Sequence, residues 1–128
     1  MRINFHLRHH SYTARLGILL VTSVLLAAAC NDAADPEAEA RLNLGRKVFT
    51  ELAQPTCATC HTFQDAGAHG QIGPNLDELK PDVQRVAAAV TSGVGAMPAQ
   101  KDNLTNEQIQ AVAHYVAQMT GSANSPRP

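Results

Sequence analysis

The chain has no Trp, and aromatic residues make up 4% of its 128 positions. A globular core of ordinary size draws heavily on such side chains, so a small domain this poor in them is expected to need a staple, a metal or a cofactor. A basic excess is missing too: 10 Lys and Arg stand against 11 Asp and Glu, a net charge of −1. That balance excludes nucleic acid as a partner, because phosphate backbones select strongly basic surfaces. No apolar run reaches the roughly 20 residues of a membrane span. No strand-like alternation and no internal repeat are present, which leaves an all-α chain. Cysteine is scarce: Cys30, Cys57 and Cys60 are an odd set that cannot all pair.

The N-terminus reads as an address, not as fold. Arg2, Arg8 and Arg15 precede an apolar run at positions 16–29 that closes on Ala27, Ala28 and Ala29. A basic start, a short apolar region and small residues at the cut describe a secretory signal over positions 1–29. Taking its three Arg away from −1 leaves −4 for the rest. Positions 30–35 then form a small, acidic tether. Leu26-Ala27-Ala28-Ala29-Cys30 is similar to a bacterial lipobox, with Ala27 where Leu is usual. Two outcomes stay open: a membrane-anchored lipoprotein acylated at Cys30, or a soluble protein released by an ordinary cut.

Three helices are expected over positions 36–121. Asp35 and Pro36 suit the cap and first turn of one, with Leu42, Gly45, Phe49 and Leu52 on one face and Pro55 after its end. A second begins at Pro81-Asp82, buries Val83, Val86, Ala87 and Val90, and stops at Gly93 and Gly95. The third carries a Thr105-x-x-Gln108 capping box, a Leu104–Ile109 staple and a stripe of Ile109, Val112, Val116 and Met119 ending at Gly121. Positions 62–79 hold Gly67, Gly70, Gly73 and Pro74 without a period. A connection that long is credible in a small domain if it wraps a cofactor. The tail at 122–128 is expected to be disordered.

Cys57-Ala58-Thr59-Cys60-His61 has the C-x-x-C-H spacing of covalent haem attachment. Two thiols three positions apart reach the two vinyl groups of one porphyrin, and the next residue offers its imidazole to the iron. Zinc would require further ligands, yet no second C-x-x-C or H-x-x-x-H follows. A thioredoxin-like pair requires a βαβ setting that the all-α pattern denies. For the second axial ligand the sequence offers Met97 and Met119. Met97 stands in Gly93-Val94-Gly95-Ala96-Met97-Pro98 between two helices, where glycines let the backbone approach a cofactor. Met119 belongs to an apolar stripe. His69 is expected to face solvent, and His114 to pack or face solvent.

These residues resemble a known family. The haem motif, Ile72-Gly73-Pro74-Asn75-Leu76, the Met97 loop, Gly45 and Phe49 on the first helix, and Gln108-Ile109 through Tyr115-Val116 make positions 42–121 similar to a class I c-type cytochrome of the short bacterial and algal monohaem kind, which implies that Gly45 and Phe49 cross the last helix near Tyr115. The resemblance implies the class I cytochrome c fold, three main helices and loops wrapped around one covalent haem c. It implies that the Pro74 carbonyl accepts from the outer ring nitrogen of His61, and that Leu76 and Val90 pack on the porphyrin. The family's frequent Trp near the propionates is absent; Gln100, Lys101 and Asn103 are polar residues of that stretch, none singled out. The expected function is one-electron transfer in the periplasm, by a monomer, to redox proteins docking at the exposed haem edge. The alternative is a dedicated electron-transfer subunit of a larger dehydrogenase or reductase.

Overall fold

The computed structural model describes residues 35–123. The expected signal, Cys30 and positions 124–128 lie outside the described residues. Helix α1, Pro36–Lys47, starts where Asp35 accepts from the Glu37 amide at 3.0 Å. Glu37 and Glu39 open it and Arg46 and Lys47 close it, in line with the helix dipole. It then widens into a π turn, Val48–Leu52, closed by Ala53 N donating to the Val48 carbonyl at 3.2 Å. Val48, Phe49 and Ala53 at this turn are all buried in the core.

A short segment follows. Helix α2 is the single turn Cys57–Cys60. Strands β1, Thr62–Phe63, and β2, Ala68–His69, pair antiparallel, with Thr62 opposite His69 and Phe63 opposite Ala68. Gly67 turns the chain between them at φ +61°. These two short strands show no alternation in the sequence and were not expected in the 62–79 connection; buried Phe63 and Ala68 anchor them. Helix α3, Leu76–Leu79, is capped by Asn75 and tied to the hairpin by Gln64 N donating to Asp77 at 2.8 Å.

Helix α4, Val83–Ser92, starts at Asp82 and ends at Gly93. Helix α5, Asn106–Met119, has both bonds of the capping box: Gln108 N donates to Thr105 Oγ1 at 3.2 Å, and Thr105 N donates to Gln108 Oε1 at 2.8 Å. Its buried face is wider than the expected stripe and adds Ala111, Ala113, Tyr115 and Ala117. The reason is that α1 and α4 both pack on it. A Cβ on Gly45 would lie 2.3 Å from the Ala111 carbonyl oxygen and 2.5 Å from Tyr115 Cβ, so the α1–α5 crossing needs glycine there. The all-α expectation holds for the core, and the two-residue strands are an ornament on it.

Phe49, Phe63 and Tyr115 form an edge-to-face cluster with centroids 5.2, 5.3 and 6.3 Å apart. Fully buried Tyr115 donates its hydroxyl to Asp65. Arg46 pairs with the same carboxylate at 2.8 Å, donates to the Asp65 carbonyl at 2.8 Å, and lies 5.3 Å over the Tyr115 ring. Burial, and then the Asp65 carboxylate, push the Tyr115 phenol well above its ordinary range, with Arg46 opposing. The tail also differs from expectation at its first residue. Ser122 is buried and donates its hydroxyl to the Pro81 carbonyl at 2.6 Å, which holds the end of α5 to the start of α4.

Candidate haem site

The site grows from α2. Thr59 N donates to the Thr56 carbonyl at 3.1 Å, and the Thr56 and Thr59 hydroxyls bond at 2.8 Å, which fixes the entry to the turn. Cys57 and Cys60 stand at i and i+3 of one helical turn, so they share a face. Neither joins a disulfide. Burial pushes the Cys57 thiol up to about 11; a backbone hydrogen bond lowers it and the Cys60 charge raises it. His61 leaves the helix in extended backbone.

The glycine-rich segment then folds back on this motif. Gly73 N and Ile72 N both donate to the Cys60 carbonyl, at 2.8 and 3.0 Å, and Gly70 N donates to the His61 carbonyl at 3.2 Å. A Cβ on Gly70 would lie 2.5 Å from the Cys60 carbonyl carbon. A Cβ on Gly73 would lie 2.5 Å from His61 Cε1. Both glycines are there for close approach. His61 Nδ1 donates to the Pro74 carbonyl at 2.8 Å. A carbonyl can only accept, so the proton is on Nδ1 and the lone pair on Nε2, the form a metal requires.

On another wall stands the Met97 turn. Val94 N donates to the Met97 carbonyl at 3.1 Å, and Met97 N returns a bond to Val94 at 2.9 Å. Gly95 turns between them at φ +58°. Gly93, at φ +73°, has the Met97 carbonyl oxygen 2.6 Å from where a Cβ would lie. The turn is thus laid directly against the end of α4.

Cys57, Cys60, His61, Pro74, Leu76 and Met97 all line one largely apolar cavity of about 300 Å³, together with Val90. The structure therefore gathers every site residue singled out in the sequence. Met119, His69 and His114 do not line it; His69 is exposed and Met119 packs on the core. No group of three or more His, Cys, Asp or Glu that could hold a metal ion occurs among the described residues. The residues fit a haem: apolar walls, a nitrogen and a sulfur donor, and two thiols on one edge.

Some lining residues were not foreseen. Phe49, Val112 and Val116 read as core in the sequence and are core and cavity wall at once. Arg85 carried no motif and lines the cavity as well. Lys101 and Asn103, two of the polar residues noted for the propionates, stand outside the lining. Gln100 does line it, but its amide is committed, donating to the Gln54 carbonyl at 3.2 Å and accepting from Asn103 at 3.3 Å.

The chain is similar to several known proteins. A family model described as Cytochrome C oxidase, cbb3-type, subunit III matches residues 40–116. The chain is 40% identical over 76 residues to cytochrome c6 of Leptolyngbya boryana, covering 56% of this chain and 85% of that protein. It is 27% identical over 73 residues to cytochrome c-551 of Halorhodospira halochloris, covering 56% and 92%. Among solved structures, the c-type cytochrome SorU from Sinorhizobium meliloti matches with a TM-score of 0.63 at 55% identity, over 68% of this chain and 99% of that one. Fold and site together define a class I monohaem c-type cytochrome, a haem-based electron carrier with covalently bound haem c. By its match over residues 40–116 the chain belongs to the family of the cbb3-type cytochrome c oxidase subunit III domain.

Proposed function

We propose that this cytochrome is a periplasmic one-electron carrier whose haem is joined to Cys57 and Cys60 and whose iron is held by His61 and Met97. One observation carries the ligand pair: His61 keeps its Nε2 lone pair free by donating Nδ1 to Pro74, and Met97 is the sole methionine of the cavity lining among the described residues. When bound, the haem supplies a one-electron couple, and thioether ligation raises its potential. The chain's part is to hold imidazole and thioether on hydrogen-bonded supports and to keep water from the iron with apolar walls.

Ile72 and Val94 are 75% and 66% exposed and both border the cavity. They suit a small apolar docking patch for redox partners, of the kind that forms short-lived encounters. The monomer is the working unit in this reading. Signal removal at positions 1–29 and acylation of Cys30 would tether the domain to a membrane through positions 30–35; the soluble periplasmic form is the other outcome. Mass spectrometry of the mature N-terminus separates them. No helix among the described residues is long and apolar enough to cross a membrane.

Spectroscopy of the holoprotein tests the ligands. The long-wavelength charge-transfer band of Met-ligated ferric haem is expected in the parent and absent in Met97→Ala. The same substitution should let the ferrous protein bind carbon monoxide and lower the potential by roughly 0.1 V or more, well inside the span set by axial ligands. A band that persists in Met97→Ala moves the ligand elsewhere. Co-purification with a stable catalytic subunit would make the chain a dedicated electron-transfer subunit of a larger dehydrogenase or reductase.

A further inference from the structure

Haem brings two propionates, and the cavity is mostly apolar, so the carboxylates need a cationic partner or full hydration. Arg85 is the single Arg or Lys of the lining, and no Asp or Glu lines the cavity. Its guanidinium makes no hydrogen bond and no ion pair among the described residues; its backbone N–H donates to Asp82 at 2.8 Å. The other polar side chains of the lining are committed. Thr56 bonds Thr59, Gln100 bonds Gln54 and Asn103, and His61 bonds Pro74.

Position supports the same partner. Gln100 ties two places together: its N–H donates to the Val90 carbonyl at 2.8 Å and its side chain to the Gln54 carbonyl at 3.2 Å. That pins the Val90 end of α4 to the segment just before Cys57. Arg85 lies five residues earlier, about 7.5 Å along the helix axis, on the side away from that pin. In a haem joined at its vinyl edge, the propionates occupy the opposite edge.

We propose that Arg85 pairs with a haem propionate and thereby raises the reduction potential. The inference rests on the attachment through Cys57 and Cys60 proposed above. The sign follows from charge. Unpaired propionates favour ferric iron, the more positive state, and a guanidinium beside them removes that preference.

Equilibrium redox titration of purified holoprotein at low salt is the test. Arg85→Gln should lower the reduction equilibrium constant about tenfold, which is about 59 mV for one electron. Arg85→Glu should lower it further, and Arg85→Lys should keep at least half of the difference between parent and Arg85→Gln. Arg41→Gln is the control: an exposed cation of α1 that does not line the cavity. If Arg85→Gln moves the potential no more than Arg41→Gln does, or if Arg85→Lys falls as far as Arg85→Gln, the pairing is overturned. Failure of the attachment itself looks different: the unsubstituted chain would then lose its haem on denaturation.

Discussion

Gly73 is where one added methyl should do the most damage. In Gly73→Ala the new carbon would sit 2.5 Å from His61 Cε1, 2.8 Å from Nδ1 and 3.0 Å from Nε2. Carbon atoms prefer separations of about 3.5 Å or more, so the ring must retreat by about 1 Å. It has little room to do so while Nδ1 holds the Pro74 carbonyl at 2.8 Å. Gly73 is not in the left-handed region, so the cost is steric alone. Overpacking of this kind costs about 1–3 kcal/mol, and a weakened hydrogen bond adds about 1 kcal/mol. For a domain of this size a loss of 2 kcal/mol lowers the melting temperature by roughly 8–16 °C. The assay is thermal unfolding of the holoprotein followed in the haem absorption bands. Gly67→Ala serves as the comparison, because Gly67 has φ +61° and nothing within 4 Å of a new Cβ. That variant carries backbone strain of about 1–2 kcal/mol and should leave the haem spectrum unchanged. A Gly73→Ala protein with a parental spectrum and a melt no lower than Gly67→Ala would refute the account of the His61 support.

Two further outcomes follow from the same geometry. Tyr115→Phe removes a bond to a carboxylate and should destabilise the protein by about 1.5–3 kcal/mol at neutral pH, read from denaturant midpoints. Because the folded phenol is pushed upward, its contribution is complete below about pH 10, the ordinary phenol value, and is lost as pH rises further. The gap between parent and Tyr115→Phe should therefore narrow only above pH 10; a gap that closes between pH 5 and 8 contradicts this. Gly93→Ala combines a strained φ of +73° with a 2.6 Å approach to the Met97 carbonyl oxygen. It should weaken the Met-dependent charge-transfer band at temperatures where the parent keeps it whole, and an unaltered band up to global unfolding would count against the role of this turn.

What could be read from the sequence was local. Asp35 with Pro36, and Thr105 with Gln108, announce helix starts because capping is settled within three residues. Cys57, Cys60 and His61 are adjacent, and Met97 is framed by its own glycines, so their gathering at one cavity was foreseeable from spacing and resemblance. What escaped joins distant positions. Asp65 meets Tyr115 across 50 residues and Arg46 across 19, and no periodicity encodes such pairings. The π turn escaped because a 3.6-residue period assumes a regular helix, and the bond from Ala53 N to the Val48 carbonyl that widens it leaves no mark in that period. Arg85 escaped because it is exposed and borders the cavity from the rim, where a charged residue in a helix reads as solvated surface.

The two sides of the core differ in what completes them. Phe49, Phe63 and Tyr115 pack on one another, and Gly45 lets α1 and α5 meet backbone to side chain. That side needs no cofactor. Val86 and Ala89 of α4, and Met97 of the next turn, instead face the cavity. A fully buried Val or Met side chain contributes about 1.5–3 kcal/mol, so a chain that never receives haem forfeits part of that amount at each of several positions. The deficit falls on α4 and the Met97 turn, while α1 and α5 keep their mutual contact. In the Cys57→Ser, Cys60→Ser chain prepared free of haem, hydrogen exchange should therefore protect α1 and α5 amides on the order of 100-fold more than those of α4. Val116 and Phe49 belong to both sides, so α5 should lose some protection relative to the holoprotein without falling to the level of α4. Equal protection of α4 and α5 in that chain would mean that the helices close on one another without a macrocycle between them, and the cavity wall would then be self-sufficient.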